Sequence, residues 1–249
     1  MADIRIDQAD GIATLTLARP DKMNAITDAM YAALADALNG FADDAAVTVV
    51  LITGEGPDFC AGNDISMFAA AAGGDPAKSM ANVGRFLDAI SIFPKPLVAA
   101  VTGRAIGIGM TMLLHCDLVY LAEDAALVTP FVDLGLVPEA GSTRLLPARI
   151  GHTRAFQLFG LGEPLSGKDA VAIGLGNAAL PVDEVLRTAQ GAARKLAAKP
   201  GAALVATKAL MRDADAIRSA IDADTAAFVD RLGSPEAAAA FAAFAARRG

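Results

Sequence analysis

The sequence predicts an α/β protein, and three observations carry that expectation. Short apolar runs rich in β-branched residues end at turn residues, helix-type amphipathic stretches alternate with them, and the pattern after Gly141 turns almost wholly helical. The chain opens as strand, turn, strand, with IRIDQ, ADG and IATLTLA. Thr27 can cap the helix that follows, TDAMYAALADALNGFA, whose Met30, Leu34, Leu38 and Phe41 recur at three- and four-residue steps. VTVVLITG is an apolar run closed by GEG, the pattern of a buried strand. PLVAAVTG and DLVYLA read as two more buried strands, with GIGMTMLL as a short apolar helix between them. Such alternation favours parallel pairing. AAAAGGDPAKS, at 69–79, reads as a mobile surface connection. The final SPEAAAAFAAFAARRG starts at a Ser-Pro-Glu helix signal and closes on Arg247, Arg248 and Gly249.

Composition narrows the function. A chain of 249 residues can bury a sizeable core, and its 54% apolar residues are spread without any membrane-length run. No basic region precedes an apolar one at the N-terminus, so a cytoplasmic protein is the expectation. A net charge of -7 argues against nucleic acid as a partner. Cys60 and Cys116 lie apart in apolar segments and read as buried free thiols. With only His115 and His152 available, neither at ligand spacing, no metal site is expected. Ser142 lacks the GxSxG frame of an activated serine.

Two glycine-rich turns carry more information. In FCAGNDI, Ala61 and Gly62 precede a helix expected near Asp64. In TGRAIGIGMTML, Gly107, Ile108 and Gly109 precede an apolar helix. Backbone N–H groups at such starts are unpaired and can face a developing negative charge. The second run is neither a dinucleotide fingerprint, since Met112 stands where a third small residue belongs, nor a phosphate loop. Each turn alone is equally well an ordinary capped turn. A convergent pair would make an oxyanion hole.

Taken together, RPDKMNAI, FCAGNDI, PKPLVAAVTGRAIGIG and LGLVPEAGSTRLLP resemble the enoyl-CoA hydratase/isomerase family, also called the crotonase superfamily. The resemblance extends into the helical end, through KPGAALVATKAL and SPEAAAAF. It implies a core of repeated ββα turns, the ClpP/crotonase superhelix, over residues 1–195. A helical region at 196–249 would pack on that core or on a neighbouring subunit, as a homotrimer or dimer of trimers. It also implies an acyl-CoA thioester substrate, with coenzyme A as part of the substrate and no separate cofactor. On these motifs the oxyanion N–H groups map to Asn63 and Ile108. Contacts to CoA map to Lys22, Ala25, Ala61, Asp64 and Ile65.

Carboxylates distinguish the branches. Hydratases of the family have two catalytic glutamates, and at those two places this chain has Thr111 and Phe131. Glu139 instead matches the single base of the peroxisomal-type Δ3,Δ2-enoyl-CoA isomerases, which TPFVDLGLVPEAG also resembles. Beside Leu136, Val137 and Pro138 its carboxylate would be partly desolvated and its pKa raised toward neutrality. Met110, Thr111, Phe131 and Leu136 would line the acyl pocket. Without the resemblance, Glu139 reads as a helix-start acid, and Asp133 as a residue bonded to local backbone. The expected reaction is conversion of a 3-enoyl to a trans-2-enoyl thioester. The alternatives are a hydratase or other enolate chemistry of the family, and a non-catalytic acyl-CoA-binding protein.

Overall fold

The computed structural model describes residues 3–64, 67 and 80–246. Its larger sheet has six strands in the order β1 (Ile4–Ala9), β2 (Ile12–Leu17), β3 (Val49–Gly54), β4 (Leu97–Val101), β6 (Leu118–Ala122), β9 (Ala178–Leu180). β1 and β2 form an antiparallel hairpin, and every later pairing in this sheet is parallel. A smaller sheet orders β5 (Arg104–Ile106), β7 (Ala126–Val128) and β8 (Leu165–Ser166).

The two sheets share one winding. β4 leads into β5 and β6 into β7, so each turn of chain gives one strand to the large sheet and one to the small. Isolated parallel bridges extend the small layer backwards, with Cys60 paired to Ala105 and Ile26 to Asn63. These parallel crossovers bury strands on both faces, which explains the unbroken apolar sequence and full burial of β4.

Helices complete the winding. Thr27 Oγ1 accepts from the Met30 N–H at 3.3 Å and starts α1 (Asp28–Asp43), whose buried face includes Tyr31, Leu34, Leu38 and Phe41. That face meets α2 (Ala81–Ile92), with the Tyr31 and Phe86 rings 5.5 Å apart. The short α3 (Ile108–Thr111) continues as a 3-10 turn over Met112–His115. Then follow α4 (Ser142–Ile150), α5 (His152–Leu161), α6 (Gly167–Ala172) and α7 (Val182–Ala197). α7 buries Val185, Ala189 and Ala193 along one face and packs across β3, β4 and β6. Last come α8 (Gly201–Met211), α9 (Ala214–Leu232) and α10 (Pro235–Ala246). α9 packs on α4 and α2, and α10 on the 3-10 turn at Val132–Leu134. Among the described residues no helix is long and apolar enough to cross a membrane.

The structure refines two readings. The chain after Gly141 is almost wholly helical as expected, and the exceptions are β8 and β9, which return to both sheets. Each is three residues or fewer, too short for periodicity to register. GIGMTMLL is a four-residue α-helix that tightens into a 3-10 turn rather than one continuous helix. The connection expected at 69–79 lies outside the described residues.

RPDKMNAI folds around Asn24. Met23 and Asn24 are both left-handed, with φ of 52° and 55°, a conformation Asn tolerates better than most residues. Asn24 is fully buried; its Nδ2 donates to the carbonyls of Glu55 (2.9 Å) and Asp58 (2.7 Å), and its Oδ1 accepts from the Arg19 N–H at 2.9 Å. One side chain therefore ties the first motif to the approach of the second. Asn24→Ala would strand these groups and strain the turn, and we expect a loss of roughly 3 kcal/mol or more. Urea unfolding checks it as a lower midpoint at unchanged slope.

Candidate active site

The two glycine turns are in direct contact. At Gly109 an added Cβ would lie 2.6 Å from the Cys60 carbonyl oxygen, and at Gly62 one would lie 3.0 Å from the Ile106 carbonyl oxygen. Only a residue without Cβ lets α3 approach the Cys60–Gly62 segment this closely. On one side of that segment Ile26 donates to the Gly62 carbonyl at 2.8 Å and accepts from the Asp64 N–H at 2.9 Å. In a parallel ladder this turns the N–H of the intervening Asn63 to the opposite side. Ile108 is the first residue of α3, where the backbone N–H has no partner within the helix. Gly107, at φ 55°, supplies the left-handed step that starts it.

Tyr31 holds the first turn from α1, since its hydroxyl donates to Asn63 Oδ1 at 2.5 Å. Burial pushes the Tyr31 phenol well above its usual range, and the nearby Glu139 and Cys60 add to that shift. Cys60 is likewise fully buried, its thiol pushed up to about 12 by burial, with Glu139 contributing. Glu139 is thus an electrostatic neighbour of both Tyr31 and Cys60, the residues beside the first glycine turn.

Glu139 lies in an irregular segment that ends in two left-handed residues, Ala140 (φ 64°) and Gly141 (φ 67°), before α4 begins. The glutamate is only 3% exposed. Burial, reinforced by the charge of Asp224, pushes its carboxyl from 4.5 up to about 8. Glu139 Oε1 is fully buried and makes no hydrogen bond, and the same holds for Thr111 Oγ1 and Ser142 Oγ. Buried polar atoms are almost always paired, so these three are orphans that a bound molecule can satisfy.

The turn bearing Glu139 is held from behind. His115 Nε2 donates to the Ala140 carbonyl at 2.8 Å, while its Nδ1 accepts from Arg212 at 3.3 Å. Burial, with Arg212 adding, holds the His115 imidazole neutral, down to about 3. Asp224 on α9 accepts from the Thr143 hydroxyl and from the Thr143 N–H at 3.4 Å.

The remaining expected residues fall into two groups. Met110, Thr111, Phe131 and Leu136 are all buried, and the Phe131 ring meets Phe159 edge-on at 6.4 Å. On the outer side, Lys22 is exposed at the end of a 3-10 turn, and Ala25 and Ala61 are half-buried. The Ala61 N–H donates to the Met23 carbonyl, while Arg19 donates to both the Ala25 carbonyl (2.6 Å) and Asp64 Oδ2 (3.0 Å). Ile65 lies outside the described residues. A cavity of about 530 Å³ opens elsewhere, beside α8, lined by Arg149, Lys208 and Arg212.

Sequence reading misses Tyr31, Asp224 and Asn24, and weighs His115 only as a metal ligand; it sets Arg19 beside Lys22 as a basic residue able to hold a phosphorylated group. Tyr31 lies in α1 next to Met30 of the apolar stripe, and nothing local marks its hydroxyl. Asp224 did carry a signal: it falls among Ile217, Ile221, Phe228 and Leu232 on the buried face of α9.

Comparison with known proteins agrees with this architecture. A family model described as enoyl-CoA hydratase/isomerase matches residues 7–248. A probable enoyl-CoA hydratase of Bacillus subtilis is 36% identical over 76% of this chain and 73% of its own length. Enoyl-CoA delta isomerase 2 of Rattus norvegicus is 39% identical over 69% of this chain and 44% of its own. Among solved structures, OdaA of Pseudomonas aeruginosa superposes with a TM-score of 0.91 at 45% identity, covering 98% of this chain and 99% of that one. The fold is crotonase-like.

Glu139 binds its proton more tightly in the folded state than in the unfolded one. The stability it contributes is complete below its ordinary 4.5 and is lost as pH rises through about 8. Glu139→Gln, which has no such proton to lose, should gain on the unsubstituted protein by about 1.4 kcal/mol per pH unit in that window. Unfolding free energies at pH 5 and pH 8 test this. A difference that stays constant between them rejects the raised affinity.

Proposed function

We propose that this chain, which belongs to the enoyl-CoA hydratase/isomerase family, shifts the double bond of a 3-enoyl-CoA to give the trans-2-enoyl-CoA. Glu139 would act as the single proton carrier. The observation that carries the reading is the Glu139 carboxylate itself: buried, with its proton affinity raised to about 8, unpartnered at Oε1, and electrostatically coupled to Cys60 at the start of the first glycine turn.

In this mechanism the thioester oxygen lies against the N–H groups of Asn63 and Ile108. Glu139 removes a proton from C2, and the electron pair spreads over the thioester and the C3–C4 double bond. The same carboxyl then delivers that proton to C4, leaving the double bond between C2 and C3. No atom is gained or lost. Each donor contributes roughly 2.7–4 kcal/mol to the dienolate, and a general base typically contributes about 10²–10⁴-fold. A base near neutrality suits both halves, because it must take and return the proton. Met110, Phe131 and Leu136 keep water from the intermediate. Lys22, Ala25, Ala61, Asp64 and Ile65 are assigned to the CoA portion on their motifs.

Hydration is the competing reading, and a hydratase is among the relatives. It needs a second working carboxyl. Thr111 and Phe131 supply none, and the oxygens of Asp224 are occupied by Thr143.

Incubation with a 3-enoyl-CoA and, separately, a 2-enoyl-CoA decides between them. We expect the 3-enoyl thioester to convert to the 2-enoyl form, with a loss of about 10²-fold or more in Glu139→Gln. Formation of a 3-hydroxyacyl thioester that survives Glu139→Gln rejects the reading, and binding of acyl-CoA without either reaction leaves a binding protein only. Gly109→Ala separates the donor turns and should lower kcat roughly 10²-fold, measured in the same assay.

A further inference from the structure

We infer that Asp224, on helix α9 of the C-terminal region, is a positioning residue for Glu139 that fixes the turn bearing the base and sets its electrostatic surroundings. The inference rests on the proposed role of Glu139 as the base.

The geometry begins with α9 itself. Its buried face reads Ile217, Ile221, Asp224, Phe228, Leu232, so one carboxylate occupies a place that the helical spacing assigns to an apolar side chain. Asp224 is only 5% exposed, and burying an acid there is costly unless it is hydrogen-bonded. Its partners lie at the start of α4. The Thr143 hydroxyl and N–H donate to it, while the Ser142 N–H donates to the Glu139 carbonyl at 3.1 Å. Gly141, the N-cap of α4, makes no side-chain cap, so Asp224 serves as that cap from a distant helix. An added Cβ at Gly141 would lie 3.1 Å from Ile221 Cγ1, which shows how closely α9 seats on this turn. α9 is anchored in turn by the Arg218–Asp88 ion pair to α2 at 3.6 Å.

Gly141 is two residues from Glu139. The left-handed pair Ala140–Gly141 must hold its shape for the carboxylate to face the donor turns, and it is gripped on both sides. His115 takes the Ala140 carbonyl, the Ser142 N–H donates back to the Glu139 carbonyl, and Asp224 takes the Thr143 hydroxyl and N–H just beyond the pair. Among the described residues, the groups that act electrostatically with Glu139 are Tyr31 from α1, Cys60 from the first glycine turn and Asp224 from α9, with neutral His115 bonded one residue away. Burial disfavours the charged forms of Tyr31 and Cys60, which leaves Asp224 as the charge among the described residues that acts on the base. Burial pushes the Asp224 carboxyl up, and its Thr143 donors pull it back toward the charged form.

The test is Asp224→Asn, which keeps an acceptor for the cap and removes the charge. Asp224→Ser, a smaller neutral acceptor, serves as the second variant. The Glu139 carboxyl is titrated by carbon NMR, its signal assigned by its loss in Glu139→Gln, and kcat/KM is followed against pH. In both variants we expect the Glu139 midpoint and the acid limb of the rate profile to move about one unit to lower pH. The plateau of kcat/KM should fall as the turn loosens, further in Ser than in Asn. A midpoint that stays in place, whatever happens to the plateau, overturns the inference and reduces Asp224 to a helix cap. That result is separate from failure of the isomerase reading, which is judged by Glu139→Gln turnover. A moved midpoint in a protein indifferent to Glu139→Gln would reject the base and, with it, the positioning role.

Discussion

A carboxylate enclosed by apolar side chains loses most of its hydration, and the architecture of this protein is arranged around keeping one there. Glu139 is buried with an unpartnered oxygen, so its charged form is disfavoured throughout the free protein. Such a group stays in place only if the backbone on either side allows it no alternative. The left-handed pair Ala140–Gly141 provides that rigidity, with His115 holding the Ala140 carbonyl and Asp224 holding Thr143 just beyond it. The destabilisation sits where chemistry can use it, which is the usual location of strain and unpaired polarity in an enzyme.

The same constraint explains the two glycine turns. Their backbones meet within distances that no Cβ permits. Asn24 and Tyr31 hold the first turn, and the β5–β7 pairing holds the second. Both are mounted on the winding of the two sheets, so the two turns inherit the stiffness of the core.

The C-terminal helices belong to this machinery. Asp224 reaches α4 from α9, and Arg212, just after α8, donates to both His115 Nδ1 and the His115 carbonyl. A region that looks like a structural appendage in the sequence therefore supports the turn bearing Glu139 from two sides. Its contribution is polar, made through a few hydrogen bonds, while its hold on the molecule is apolar, through Ile217, Ile221 and Phe228.

Much of this was legible in the residues alone. Strands β1 to β4 and β6, helix α1 with its Thr27 cap, and the family follow from local patterns, because apolar periodicity and motif order are properties of neighbours in the chain. Glu139 could be singled out, and its desolvation anticipated from Leu136, Val137 and Pro138 beside it. Strands β5, β7, β8 and β9 were not legible, being two or three residues long and defined by partners far away in sequence. The contact between the glycine turns and the grip of Asp224 and His115 on the Glu139 turn were likewise decided by tertiary structure alone. Residues 81 positions apart, such as Thr143 and Asp224, meet only after the core has formed. Sequence thus determined which groups were available and which short segments held them; the packing of distant elements determined which groups could act on one another.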